Sequence, residues 1–158
     1  MNSFDIVTYI KSYSFDELSD EDRMLIDCAR QATEKAYAPY SNYFVGAAIM
    51  LEDSTIIIGN NQENAAYPSG LCAERVAIFQ AGALHPDKSV KTIAIIARNN
   101  SGFTDDICSP CGACRQVILE TENRYKNNIR ILMCAKDKVY EVESVKALLP
   151  LHFSNEKL

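Results

Sequence analysis

Three cysteines and one glutamate have the residue types and the spacing of a metal-dependent hydrolytic centre. Cys72 and Glu74 lie two positions apart, and Cys111 and Cys114 lie three positions apart within the run Pro-Cys-Gly-Ala-Cys. Each pair stands where a helix is predicted to begin. Two cysteines three positions apart share one helical face, so both can bind the same tetrahedral Zn²⁺. Cys72 would be the third ligand and would leave the fourth position open, as a catalytic zinc requires.

Glu74 and Arg75 are placed to assist such a centre. The positive end of a helix favours the thiolate form of cysteine that zinc needs. The Glu74 carboxylate can take a proton from a zinc-activated water and return it to a substrate, so we expect a proton shuttle and not a ligand. Three thiolates weaken the action of zinc on its water, because they more than balance the charge of the ion. Arg75 can offset this by donating hydrogen bonds to the sulfurs.

A structural zinc site, or buried cysteines without a metal, would explain the same residues in a simpler way. Free cysteine is often buried, and a single Cys-x-x-Cys is common. A structural zinc takes a fourth protein ligand, for which Cys108 is the candidate, so a closed four-cysteine site or a redox cluster stays open at this point. Cys28 and Cys134 fall in apolar patterns typical of a core, and His85 and His152 match no ligand spacing.

The elements that must position these residues alternate between helices and strands. Ser19 and Asp22 have the spacing of a capping box, which predicts a helix from about residue 20 to Pro39. A further helix is predicted over 71–81, ending at Gly82. The remaining predictions are helices over 4–10, over 111–122 and from residue 145, strands over 44–51, 55–61, 92–98, 129–135 and 139–142, and a polar loop over 99–107.

This order predicts a three-layer α/β/α sandwich with a mixed sheet of about five strands. A length of 158 residues, 47% of them hydrophobic, fits a single domain over 1–158. Residues 1–20 form an N-terminal extension to it. The formal net charge of −5 and the lack of a Lys/Arg run disfavour nucleic acid as a partner. The apolar runs are too short to span a membrane and the start does not read as a signal peptide, so we expect a cytoplasmic protein.

Residues 72–75 and 110–116 together resemble the cytidine deaminase family, specifically its small homotetrameric type with three zinc-binding cysteines. The resemblance runs from about Leu25 to Phe153, with Cys72 standing where the wider signature has a histidine. It implies one Zn²⁺ per chain and a homotetramer with active sites near subunit interfaces. It also implies hydrolysis of free cytidine and deoxycytidine to uridine and deoxyuridine plus ammonia, a reaction of pyrimidine salvage.

The same resemblance implies a set of substrate-binding residues. Segment 39–48 is similar to the family segment in which a phenylalanine packs on the pyrimidine, and Tyr43 stands at that position with an added hydroxyl. In a segment similar to the ribose-binding one, Asn61 and Glu63 would hold the sugar hydroxyls from one face of a strand. Tyr67 and Phe153 match positions at a subunit boundary, and Phe153 would reach a neighbouring active site.

Ala73 is a further candidate, because its backbone N–H, at the start of a predicted helix, can donate to the ring carbonyl. Two other functions stay open. One is a deaminase of a modified cytosine nucleoside, such as blasticidin S, on the same fold. The other is a structural zinc or redox module. Asn61 and Glu63 favour an ordinary ribose or deoxyribose, since a modified sugar does not need that pair.

Overall fold

The computed structural model describes residues 1–154, in which one mixed β-sheet is covered by helices on both faces. The α-helices are α1 (Asp20–Ala32), α2 (Ala73–Leu84) and α3 (Gly112–Tyr125). The strands are β1 (Lys11–Ser14), β2 (Phe44–Leu51), β3 (Ile56–Asn60), β4 (Val90–Asn99), β5 (Gly102–Phe103), β6 (Arg130–Cys134) and β7 (Lys138–Val142). Short 3-10 helices span Phe15–Glu17, Thr33–Lys35, Tyr67–Ser69 and Val145–Leu148.

The strand order is β1-β7-β6-β4-β2-β3, and β5 pairs with the end of β4. β4 and β6 are parallel, and every other pair among these strands is antiparallel. The predicted three-layer architecture is confirmed. The sheet is larger than expected, because β1 and the two-residue β5 join the five predicted strands.

Two apolar cores lie on opposite faces of this sheet. Successive side chains of a strand point to opposite faces, and in β2 Ile49 packs with α2 and α3 while Met50 packs with α1. Leu25 and Ile26 of α1 are fully buried in the second core. The helices that carry the candidate ligands, α2 and α3, therefore share one face of the sheet. No helix in residues 1–154 combines the length and the apolar character needed to cross a membrane.

The helix boundaries differ from the predictions mainly at their ends. α1 begins as predicted, with the Ser19 hydroxyl accepting from the Asp22 N–H at 3.1 Å. It ends at Ala32, well before Pro39, because a 3-10 turn over Thr33–Lys35 follows it directly. The prediction that Gly82 ends α2 is wrong. The helix continues to Leu84, with the His85 N–H donating to the Ala81 carbonyl at 2.8 Å, because an internal glycine costs a helix only about 1 kcal/mol. The predicted C-terminal helix is only a 3-10 turn.

The predicted N-terminal helix is also wrong. Residues 1–10 have no regular secondary structure, and Lys11–Ser14 forms a strand that pairs with β7. An isolated helix of about two turns is marginal in water, whereas the edge of β7 offers a row of backbone hydrogen bonds. The predicted polar loop over 99–107 is interrupted by β5.

Candidate active site

Three cysteine sulfurs meet where α2 and α3 begin. Cys72 is the N-cap residue of α2, Cys111 is the N-cap residue of α3, and Cys114 lies in the first turn of α3. The Sγ atom of Cys111 is 3.7 Å from that of Cys72 and 3.5 Å from that of Cys114, and all three sulfurs lie within 4.8 Å of one another. Tetrahedral zinc with Zn–S bonds of about 2.3 Å holds its sulfurs about 3.8 Å apart. The cluster therefore fits one Zn²⁺.

Cys108 does not join this cluster. In the part of the chain that the structure describes, the group of mutually close metal-ligating atoms contains only the three sulfurs named above. Cys108 is buried, its N–H donates to the Cys134 carbonyl at 3.1 Å, and burial raises the pKa of its thiol to about 12. Cys72 and Cys111 line a cleft, so the cluster has an open side and is not closed by a fourth cysteine.

Arg75 lies beside the sulfurs, where the sequence predicts a compensating charge. Its Nη2 is 3.6 Å from the Cys72 Sγ and 3.4 Å from the Gly70 carbonyl oxygen. The pKa of Cys72 is lowered to about 5, chiefly by a hydrogen bond from the Cys114 thiol and further by Arg75. The surroundings of Cys72 thus favour its thiolate, whereas the same hydrogen bond, together with burial, raises the pKa of the Cys114 thiol.

Glu74 is placed in the first turn of α2, with its carboxylate turned into the protein beside the sulfurs. Only 4% of the residue is exposed, yet it lines the cleft. Burial raises the pKa of its carboxyl to about 6. A carboxyl with a pKa near neutrality can both accept and release a proton under physiological conditions. Ala73 is the first residue of α2, so its N–H is among those that a helix leaves without an intrahelical acceptor.

The cleft in front of these residues has a volume of about 960 Å³. Tyr43 forms part of its wall, 39% exposed, with its phenol close to the Cys108 thiol. Burial raises the pKa of the Tyr43 hydroxyl to about 12, so the hydroxyl stays neutral. A half-buried neutral ring of this kind offers an aromatic face to a flat ligand.

Asn61 and Glu63 also line the cleft, but they do not share a strand face as predicted, because β3 ends at Asn60. The Asn61 amide accepts from the Val45 N–H at 2.8 Å and donates to the Tyr43 carbonyl at 2.9 Å. These bonds hold the segment that carries the Tyr43 ring.

The Glu63 carboxylate accepts from the backbone N–H of Tyr40 at 2.9 Å, from that of Ser41 at 3.3 Å and from the Ser41 hydroxyl. These hydrogen bonds lower the pKa of Glu63, so it is charged at neutral pH. Sequence reasoning missed this partnership. The feature of the sequence that could have indicated it is the run Pro-Tyr-Ser-Asn at residues 39–42, whose composition is typical of a turn. In the structure these residues do form a turn, and Asn42 has a φ of 53°.

Tyr67 and Phe153 are both largely exposed. Tyr67 lines the cleft mouth and packs edge-to-face with Tyr40, with ring centroids 6.2 Å apart. Phe153 is 61% exposed and does not line the cleft of its own chain; its carbonyl accepts from Gln116 Nε2 at 3.0 Å.

Comparison with known proteins agrees with the fold and the cluster. A family model described as the cytidine and deoxycytidylate deaminase zinc-binding region matches residues 19–127, which include the three cysteines and Glu74. A cytidine deaminase of Sporosarcina psychrophila is 42% identical over 134 residues, covering 85% of this chain and 92% of the relative. A cytidine deaminase of Halalkalibacterium halodurans is 46% identical over 98 residues, covering 62% of this chain and 70% of the relative.

Solved structures give the same result. The crystal structure of a cytidine deaminase from Burkholderia pseudomallei superposes with a TM-score of 0.70 at 38% identity, covering 83% of this chain and 98% of that chain. That of a cytidine deaminase from Mycobacterium tuberculosis gives 0.66 at 27% identity, covering 86% and 99%. The fold and the three-cysteine cluster therefore define a zinc-binding α/β protein. The chain belongs to the cytidine and deoxycytidylate deaminase family.

Proposed function

We propose that this chain catalyses the zinc-dependent hydrolytic deamination of free cytidine and deoxycytidine to uridine and deoxyuridine plus ammonia. The observation that carries the proposal is the open cluster of three sulfurs beside the buried Glu74 carboxyl, in one cleft. A purely structural zinc would be closed by a fourth ligand, and Cys108 lies outside the cluster. Relatives named cytidine deaminase disfavour the modified nucleoside as the substrate.

In this proposal Cys72, Cys111 and Cys114 hold the metal, which when bound acts as a Lewis acid on a water molecule. Glu74 accepts a proton from the attacking water while the oxygen of that water bonds to the ring carbon that carries the amino group. Glu74 then delivers that proton to the adjacent ring nitrogen and helps to transfer the next one to the departing amine. Its pKa of about 6 suits both directions of transfer.

We assign the positioning of the substrate to the other residues of the cleft. The Tyr43 ring packs on the pyrimidine, and the Ala73 N–H donates to the ring carbonyl. Asn61 and Glu63 already make hydrogen bonds to backbone groups, and their side chains bind the sugar hydroxyls through the further hydrogen bonds that an amide and a carboxylate can make. Arg75 balances part of the thiolate charge through its contact with Cys72.

The decisive variant is Glu74→Gln, which keeps the shape of the side chain and removes its ability to accept a proton. We expect this variant to hold about one zinc per chain and to lose at least about 100-fold in kcat. The activity is measured from the change in ultraviolet absorbance as cytidine is consumed. Glu120→Gln, an exposed position on α3, is the matched control and should behave as wild type. Full activity in Glu74→Gln would sink the assignment, and a wild-type protein that binds no zinc would sink the whole mechanism.

A homotetramer with active sites near subunit interfaces is the assembly we propose. Its support is the group of exposed aromatic residues at the cleft mouth and the exposed Phe153, which does not line its own cleft. Sedimentation velocity should give four chains per particle, and Phe153→Ala should raise KM for cytidine. A fully active monomer would contradict this assembly. The cytoplasmic location and the role in pyrimidine salvage stay predictions from the sequence.

A further inference from the structure

Arg115 directly follows the last proposed zinc ligand and binds backbone carbonyls of two different segments. Its Nε donates to the Pro110 carbonyl at 2.8 Å, and its Nη1 donates to the Leu148 carbonyl at 2.8 Å. Its backbone N–H donates to the Cys111 carbonyl at 2.9 Å. The backbone bond is the first intrahelical bond of α3, which any residue except proline would make, so the Arg115 side chain acts on the turn through the Pro110 carbonyl.

The turn over residues 110–111 needs such an external contact. Cys111 is the N-cap residue of α3, but its side chain makes no capping hydrogen bond, and the residue is exposed. Its backbone conformation, with φ of −66° and ψ of 167°, decides where its sulfur points. The clamp from Arg115 to the Pro110 carbonyl fixes the chain immediately before that sulfur.

The second bond of Arg115 reaches a C-terminal segment, residues 144–153, that α3 fastens at several points. The buried Glu122 carboxylate accepts from the Ser144 hydroxyl at 2.8 Å and from the Val145 N–H at 3.1 Å. Gln116 binds the Phe153 carbonyl further along. Arg115 is the member of this set that also touches the ligand-bearing turn, so it connects the segment to the cluster.

We propose that Arg115 is a positioning residue that holds the turn at Cys111 in the metal-binding conformation by tying it to the C-terminal segment. The inference rests on the metal ligands of the proposed function. It depends on the planar guanidinium, whose Nε and Nη1 donate in two fixed directions at once. A lysine would keep the charge but not this geometry.

The test measures how fast zinc leaves the protein, which does not depend on turnover. Zinc-loaded wild type, Arg115→Met, Arg115→Lys and Arg124→Met are mixed with an excess of a chromophoric chelator, and zinc transfer is followed by absorbance. Arg124 is the matched control, because it is an arginine of the same helix whose Nη2 binds a carbonyl far along the chain, that of Pro86, at 3.3 Å. The Co²⁺-substituted proteins are compared by their thiolate-to-metal absorption bands.

We expect both Arg115 variants to release zinc about 10- to 100-fold faster than wild type, with shifted Co²⁺ bands, and Arg124→Met to match wild type. If Arg115→Met does not fold, Arg115→Lys decides. Zinc release from Arg115→Lys at the wild-type rate would overturn the inference, because charge alone would then suffice. A wild-type protein without zinc would overturn the proposed function as well, whereas unchanged release in the variants overturns this inference alone.

Discussion

Cys72 and Cys108 line the same cleft, yet their surroundings favour opposite charge states. Cys72 is the N-cap residue of α2, accepts hydrogen bonds from a neighbouring thiol and from Arg75, and has its pKa lowered to about 5. Cys108 is more deeply buried, and this burial raises the pKa of its thiol to about 12 even though the Tyr43 hydroxyl lies within hydrogen-bonding reach. The same residue type is therefore prepared as a thiolate ligand at one position and as a neutral wall of the cleft at the other.

This contrast predicts different outcomes for two single substitutions. Cys108→Ala should keep about one zinc per chain and lose about 1 kcal/mol of stability, because it removes one buried sulfur atom. Cys72→Ala should lose zinc, since it removes one of three ligands. Zinc content by atomic absorption and urea midpoints would check both. A loss of zinc in Cys108→Ala would show that this thiol binds the metal after all.

Short spacing predicts best which of the candidate residues lie together in the structure. Cys111, Cys114 and Glu74 follow from positions within one helical turn of a predicted helix start. Asn61 and Glu63 do line the cleft, but the sequence did not predict how they are held there. Their partners are backbone groups of residues 40–45, about 20 positions away, and nothing in the local pattern shows that the two segments meet.

At the scale of elements, the start of α2 is fixed by its close approach to β3. Gly59 lies in β3, and a Cβ atom there would stand 2.3 Å from the Ala73 carbonyl oxygen and 2.5 Å from the Ala77 nitrogen. Both atoms belong to the backbone of α2 and cannot move aside alone. The strand can carry the first turn of α2, with Cys72 and Glu74, only because this position has no side chain.

Gly59→Ala should therefore destabilise the protein by about 1–3 kcal/mol and also loosen zinc binding, since it pushes the first turn of α2 outward. Gly82→Ala is the matched control on the same helix. An added Cβ at Gly82 meets only Arg124 Nη1 at an ordinary 3.7 Å, so this change should stabilise by about 0.5–1 kcal/mol. Thermal melts of zinc-loaded proteins measure both, and equal effects of the two substitutions would refute the argument.

The elements that sequence reasoning found were those with a long pattern of their own. The hairpin of β2 and β3 and the starts of α1 and α3 were predicted to within one residue or so. The N-terminal strand was missed because its stability comes from a partner far along the chain, with Lys11 opposite Glu141 in the register. Three apolar residues at helical spacing stabilise a short N-terminal helix less than pairing with β7 stabilises a strand.

At the scale of the whole molecule, residues 11–18, here called the N-terminal arm, close the sheet at the end opposite β3. Lys11 Nζ lies 3.0 Å from a Glu141 carboxylate oxygen, and the Phe15 ring packs 4.4 Å from the Arg30 guanidinium. Leu18 is only 6% exposed within the core around α1. The match to the family model begins at residue 19, so the arm lies outside it. The arm nevertheless packs as part of the same core.

Two truncations separate the arm from the residues before it. Deleting residues 1–10 removes exposed side chains, and we expect the free energy of unfolding to change by no more than about 0.5 kcal/mol. Deleting residues 1–18 also removes the buried Leu18 and uncovers the edge of β7, which should cost at least about 2 kcal/mol. Both proteins should keep about one zinc per chain, because β1 and α2 lie toward opposite ends of the sheet. Urea midpoints at one protein concentration test this, so that any change of assembly affects them equally.

Equal stability of the longer truncation and the full chain would show that the family core folds without the arm. A loss larger than expected from the exposed hydrogen bond of the Thr8 hydroxyl to the Ala147 carbonyl would instead point to a contact of residues 1–10 beyond their own chain, with a second copy as the first candidate.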